Sequence, residues 1–252
     1  MQLPQRNKPR SRVATSLWVA ALLCFGVPGI NLVNLCVAST GAHDHPKPVV
    51  LAPGYGPLDF VPPQAGKYAL PPMGYAADGP VLNTKGEAGQ LQDYLGGKIT
   101  VLSFIYTTCN DVNGCPLATF VLKGVQDKVL ADPSLKNQVR LVSFSFDPQH
   151  DTPEVLNDYR DNFAAANFDW QFLTTRDAAS LDPTLEAYGQ WVVRDFDAEG
   201  NYLGTMSHIL RVFLIDKKQR IRNIYSTSFL HADTVANDIR TLLIEETREP
   251  SG

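Results

Sequence analysis

The chain has 252 residues, 44% of them hydrophobic, and a formal net charge of -4. That length fits one medium domain with extensions, and the apolar content supports a real core. The weakly acidic balance, with no basic arm and no zinc-finger spacing, argues against nucleic acid as a partner.

The amino terminus reads as an address. Lys8, Arg10 and Arg12 precede an uncharged stretch from Val13 to Ala38. It is long enough to span a bilayer, and its positive flank would stay cytoplasmic. Its core LWVAALLCFGVPGI also suits a secretory signal, with Cys36-Val37-Ala38 as a cleavage site. Residues 1–40 are therefore expected to be a signal or an N-terminal membrane anchor. Either way, the rest lies outside the cytoplasm, in a bacterial periplasm. Only Cys109 and Cys115 then face an oxidising compartment, too few for a disulfide-built scaffold.

Residues 41–80 form a Pro/Gly-rich extended lead, in which paired prolines argue against helix. Tyr55, Phe60, Tyr68, Leu70, Met73 and Tyr75 make it too apolar for a pure spacer, so some of these should pack on the domain. His43 and His45 are read as part of a solvated tail.

A regular domain is expected over 81–248. Ile99–Tyr106 reads as a buried strand, followed by a helix from Cys115 to about Leu130. Val139–Phe146 is a second strand, and Thr152–Phe163 a helix with Thr152 as cap and Pro153 as first helical residue. Trp170–Thr174 reads as a short strand and Pro183–Tyr188 as part of a helix. Ile209–Ile215 and Ile221–Tyr225 are strands joined by the turn DKKQ, and Asp233–Glu246 is an amphipathic helix. Alternating strands and helices with a terminal hairpin predict an α/β sandwich with a mixed central sheet.

The chemistry centres on SFIYTTCNDVNGCPLA, Ser103 to Ala118. Cys109 falls just past the carboxyl end of a central strand, where open α/β folds expose their chemistry. Cys115 falls at a helix start, where backbone N–H groups and the helix dipole favour a thiolate. Asn113 and Gly114 let the chain turn back between them, and Asp111 is expected to face solvent. A lowered thiol pKa serves a nucleophile and a soft-metal ligand alike, so the pair alone leaves redox, metal and structural roles open.

A third donor would discriminate. His150 lies in a charged turn, and His231 reads as a polar neighbour of the last helix's cap. His208 immediately precedes the Ile209–Ile215 strand, at the Cys109 end of the sheet if that strand is antiparallel to the central one. Two thiolates and one imidazole suit copper, as Cu(I) or Cu(II).

Three segments then resemble the SCO/SenC family of membrane-tethered, thioredoxin-like copper proteins that act in cytochrome c oxidase assembly: FIYTTCNDVNGCP, VSFSFDPQHDTPEVLNDY and SHILRVFLIDKKQRI. The resemblance covers about residues 81–247. It implies a thioredoxin-like three-layer sandwich, with Cys109 and Cys115 on the copper thiols and His208 on the distal imidazole. Five residues separate the cysteines where the family has three, and Ser207 stands where the family commonly has Asp. Met206 is read as packing rather than as an extra sulfur donor.

Three functions follow. The first is a copper metallochaperone delivering to a respiratory oxidase, such as a cytochrome c oxidase subunit, or to a related periplasmic cuproprotein. It would have a redox-active dithiol, a thiol reductant as partner, and no substrate turnover. The second is a thiol–disulfide oxidoreductase using Cys109 and Cys115 to prepare acceptor cysteines for metallation. The third is an assembly domain with a structural disulfide.

Overall fold

The computed structural model describes residues 49–248. The expected signal or anchor over 1–40, with Cys24 and Cys36, and the histidines His43 and His45 lie outside them. Among the described residues no helix is long and apolar enough to cross a membrane.

The elements are, in order, β1 (Pro80–Asn83), β2 (Ala88–Gln90), β3 (Ile99–Ile105), α1 (Cys115–Ala131), β4 (Val139–Ser145), α2 (Pro153–Asp161) and β5 (Trp170–Thr174). They continue with α3 (Ala178–Ala187), β6 (Val192–Phe196), β7 (Tyr202–His208), β8 (Val212–Ile215), β9 (Ile221–Tyr225) and α4 (Ala232–Arg248). Seven strands form one mixed sheet in the order β2-β1-β5-β4-β3-β8-β9. β3, β4 and β5 are parallel at its centre, while β8 runs antiparallel to β3 and β1 antiparallel to β5.

The sequence explains the placing of β3. ITVLSFI is apolar almost throughout, and every one of its positions is buried, as expected for a parallel strand with both faces covered by helices. Its one serine is matched in register by Ser143 of β4, with the hydroxyls 3.4 Å apart. Trp170 Nε1 donates to Ser143 Oγ at 3.1 Å, so these polar groups do not go unpaired in the core. The expected α/β sandwich with a mixed central sheet is therefore the observed architecture.

Two expectations need correction. The strand predicted over Ile209–Ile215 begins only at Val212. Ile209 is 51% exposed, and Arg211 Nη1 donates to Gly189 O at 2.6 Å, so residues 209–211 bridge two sheets. The second sheet is the hairpin β6–β7, which the sequence reading lacked. Its strands are largely exposed and carry no apolar alternation to betray them. The helix of which Pro183–Tyr188 was read as part is α3, which starts at Ala178, where Asp177 caps it by accepting from Ser180 N at 2.8 Å, and ends at the C-cap Tyr188. Pro183 lies within the helix.

The lead packs as its composition predicts, but unevenly. Tyr55 and Leu70 rest against the core, whereas Phe60, Met73 and Tyr75 are exposed. Further along, Met73 N donates to Ile221 O and Ala76 N to Gln219 O, both at 2.8 Å, which lays the lead beside the start of β9.

Candidate metal centre

Cys115 is the first residue of α1, with Pro116 next, a position where its missing N–H costs nothing. The residue before it, Gly114, brings no side-chain cap, and the Cys115 N–H at this helix start bonds the Cys109 sulfur. Cys109 ends the turn that leaves β3, its N–H donating to Tyr106 O at 3.3 Å. His208 is the last residue of β7, paired in register with Val192 of β6. The hairpin missing from the sequence reading is therefore what carries the imidazole. β8 runs antiparallel to β3, which brings His208 back to the Cys109 end of the sheet.

The three side chains converge. One donor atom from each of Cys109, Cys115 and His208 lies within 4.8 Å of the others. Cys115 Sγ is 3.4 Å from His208 Nε2. With metal–sulfur bonds of about 2.3 Å and metal–nitrogen bonds of about 2.0 Å, one ion holds donors up to about 4.6 Å apart. The trio fits a shared first-row metal ion with only small shifts.

The thiols are free and unequal. Cys115 is 1% exposed. Burial pushes its pKa far up, helped by its hydrogen bond to Cys109 and by the charge there. The Cys109 thiol is held well below its ordinary pKa, chiefly by the Cys115 hydrogen bond, then by His208 and the Cys115 backbone N–H, against opposition from partial burial. Of the two, Cys109 is therefore the one favoured as thiolate and Cys115 the one favoured as thiol. Tyr106 N also donates to Cys115 Sγ at 3.5 Å. An alkylating reagent such as iodoacetamide at mildly acidic pH is therefore expected to modify Cys109 well before Cys115. Peptide mass mapping reads the order, and equal rates would contradict this assignment.

Aromatic rings wall the site. Phe146 lies 4.8 Å from the His208 ring and Tyr106 lies 6.1 Å from it, edge-on. Neither wall was read from sequence, although both residues flank predicted strand ends. His208 Nδ1 is buried without a hydrogen-bond partner among the described residues, so ring packing rather than a carboxylate orients the imidazole. Ser207, which stands where the family has Asp, donates instead to Asp195 Oδ1 at 2.8 Å across the hairpin. On the cysteine side a cavity of about 440 Å³ opens, lined in part by Tyr55, Cys109, Cys115, Phe120 and Tyr159.

Among the described residues the other histidine and acidic candidates do not join the trio. Met206 is buried, its backbone bonded to the Tyr106 hydroxyl. Asp111 is exposed, as expected. His231 Nδ1 accepts from Asp233 N at 3.1 Å at the start of α4, and its Nε2 meets Gly56 O at 3.0 Å. His150 is exposed and pairs with Asp151 at 3.0 Å. Asp151 is fully buried and gathers the Thr107 N–H, the Thr107 hydroxyl and the Ser145 hydroxyl. It fixes the end of β3 two residues before Cys109, a role the sequence did not signal.

The sequence model described as SCO1/SenC matches residues 80–244. The SCO1 protein homolog of Bacillus subtilis (strain 168) is 34% identical over 80 residues, which is 32% of this chain and 39% of that protein. The matched stretch thus spans about two fifths of that relative's length. The copper-bound ScoI of Arabidopsis thaliana superposes with a TM-score of 0.57 at 19% identity, covering 68% of this chain and 99% of that one. The copper-bound ScoI of Bradyrhizobium japonicum superposes with a TM-score of 0.54 at 24% identity, over 66% and 98% of the two chains. At these identities the two structures establish a shared thioredoxin-like fold. With the family match running through most of the folded region and both cysteines and His208 inside it, the chain belongs to the SCO1/SenC family, with an unusual five-residue spacing between its cysteines.

Proposed function

We propose that the protein is a copper metallochaperone, holding the ion between Cys109, Cys115 and His208 and passing it to a respiratory oxidase or a related periplasmic cuproprotein. One observation carries the reading: two sulfurs and an imidazole from three separate segments meet within 4.8 Å. A structural or purely redox cysteine pair has no need of the third. Soft thiolates favour Cu(I), and the imidazole accommodates Cu(II) as well. Copper is cargo here, and the protein's part is to hold and release it. Binding Cu(I) displaces the Cys115 proton. Cys109, the more exposed thiolate, fronts the cavity and offers an incoming acceptor ligand its access. Oxidation of the pair to a disulfide by an oxidised dithiol partner transfers two electrons to that partner and removes both thiolate donors.

The domain plan that accompanies this reading has an anchor or signal over 1–40, a lead over 41–80 and the thioredoxin-like domain over 81–248. It places that domain in the periplasm, held at the bacterial inner membrane or secreted if the signal is cleaved. If Val13–Ala38 stays in the membrane, the tether is short. From Ala38 to Val50, whose carbonyl bonds to the cysteine loop, the backbone reaches at most about 40 Å. That suits an acceptor in the same membrane.

The second reading, a thiol–disulfide oxidoreductase, is favoured by the asymmetry of the pair: a half-buried thiolate beside a buried thiol is an attacking and resolving couple. Titrating the reduced protein with Cu(I) against a competing chelator, without oxygen, tests the carrier. One tightly held equivalent is expected. No competitive binding, with a readily exchangeable dithiol, would select the oxidoreductase; an inert disulfide would select the structural role.

A further inference from the structure

The widened loop between the cysteines has little internal support. Gly114 N donates to Asp111 O at 2.9 Å, and Asn113 N to Asp111 Oδ1 at 3.0 Å. At its far end Gly114 O accepts from Ala118 N of α1 at 3.2 Å, and the loop's Asn113 side-chain and Val112 carbonyl bonds go to the lead, some sixty residues upstream. Asn113 Oδ1 accepts from Ala52 N at 2.8 Å, while Asn113 Nδ2 donates to Val50 O at 2.9 Å. The Asn113 amide thus grips the lead's backbone twice. The Tyr55 hydroxyl donates to Val112 O at 2.5 Å.

The lead is anchored independently of these bonds. Gly54 is buried, and a Cβ there would stand 2.3 Å from Leu230 O and 3.0 Å from Leu117 and Val121 side-chain carbons. No side chain fits, so the backbone itself fills the gap beside α1. The Tyr55 ring packs on Phe120 of α1 at 4.9 Å, and Gly56 O meets the His231 ring.

Cys115 is fixed by α1 and His208 by β7. Cys109 is held on its β3 side by its N–H to Tyr106 O, and on its other side it depends on the loop for its place. A flexible five-residue loop samples many conformations, and holding one of them costs conformational entropy. We infer that residues 50–56 are a positioning element of the metal centre: gripped by Asn113 and Tyr55, they hold the widened loop so that Cys109 faces Cys115 and His208. The functional consequence rests on the copper reading, while the geometric claim does not.

The test uses the full chain, reduced and in detergent, with two variants that leave all three donors in place. Gly54→Val displaces the lead from its slot. Asn113→Ala combined with Tyr55→Phe cuts the grip but leaves the slot intact, and serves if the first variant fails to fold. Cu(I) competition titration is read beside intramolecular bridging of Cys109 and Cys115 by a short bifunctional alkylating reagent. Cu(I) affinity is expected to fall about tenfold or more in each folded variant, with bridging slowed and cooperative thermal unfolding retained. Affinity and bridging equal to the parent in a folded variant would overturn the inference. If the parent itself takes no Cu(I), the carrier reading falls, and the bridging rates alone decide the positioning role.

Discussion

Cys109→Ser and Cys115→Ser are each expected to lower Cu(I) affinity by about a hundredfold or more, and His208→Ala by about tenfold. The ordering follows from ligand chemistry. A serine hydroxyl is a hard donor that stays protonated at neutral pH, so either serine leaves one thiolate to face a soft ion. His208→Ala leaves both sulfurs, and Cu(I) is still served by a thiolate pair. The imidazole should matter more for Cu(II), which suits nitrogen donors. Competition against a Cu(I) chelator measures the first ordering, and the intensity of a thiolate-to-Cu(II) charge-transfer band follows the second. Cysteine variants that retain the parent's affinity would remove the sulfurs from the site and with them the carrier reading. Folding should be little disturbed by His208→Ala, since the partly buried ring hydrogen-bonds only the two cysteine sulfurs of the site, that of Cys115 at 3.4 Å.

Arg222→Ala is expected to cost about 3–5 kcal/mol of folding stability, the usual consequence of breaking a buried ion pair from one side. Arg222 is 4% exposed and Asp216 2%. The guanidinium donates to Asp216 Oδ2 at 2.9 Å, to both oxygens of Glu245 and to Leu70 O at 2.6 Å. It therefore joins β9, the β8–β9 turn, α4 and the lead. Burial alone would raise the Asp216 carboxyl. The Arg220 backbone N–H and the Arg222 and Arg220 side chains outweigh it and hold the pKa below the carboxylate range. A carboxyl lowered in the folded state contributes stability above its unfolded pKa of about 3.9, and that contribution is lost as pH falls through the folded value. Without Arg222 the Asp216 pKa rises, so acid unfolding should begin at a higher pH. Urea unfolding at neutral pH and circular dichroism across an acid titration check both parts. A variant as stable as the parent would mean the ion pair is offset by desolvation.

The central strands were legible because their signal is local. ITVLSFI and VRLVSFS are apolar runs of strand length, and the turn DPQHDTP carries a cap and a helix-starting proline that act within a few residues of themselves. The hairpin β6–β7 was not legible. Its strands pair only with each other and bury little, so no core imposes a pattern on their sequence. His208 was picked out as a candidate directly before a core strand at the Cys109 end; the structure adds that it closes that hairpin, with residues 209–211 between it and β8.

By itself, the sequence determined that two cysteines bracket a turn between a buried strand and a helix start, and that a histidine precedes an apolar strand. It also set the spacing of five residues, since spacing is covalent. Only the tertiary structure decided that the three donors meet, because β8 had to pair antiparallel with β3 to return His208 to the cysteines. The structure likewise decided which thiol is favoured as the thiolate, a matter of burial and neighbours that no local motif encodes. It decided, too, that the lead at Val50 and Ala52 grips Asn113. Contacts between residues some sixty positions apart leave no periodicity in a single chain, so the support of the widened loop appears only once the backbone has folded around it.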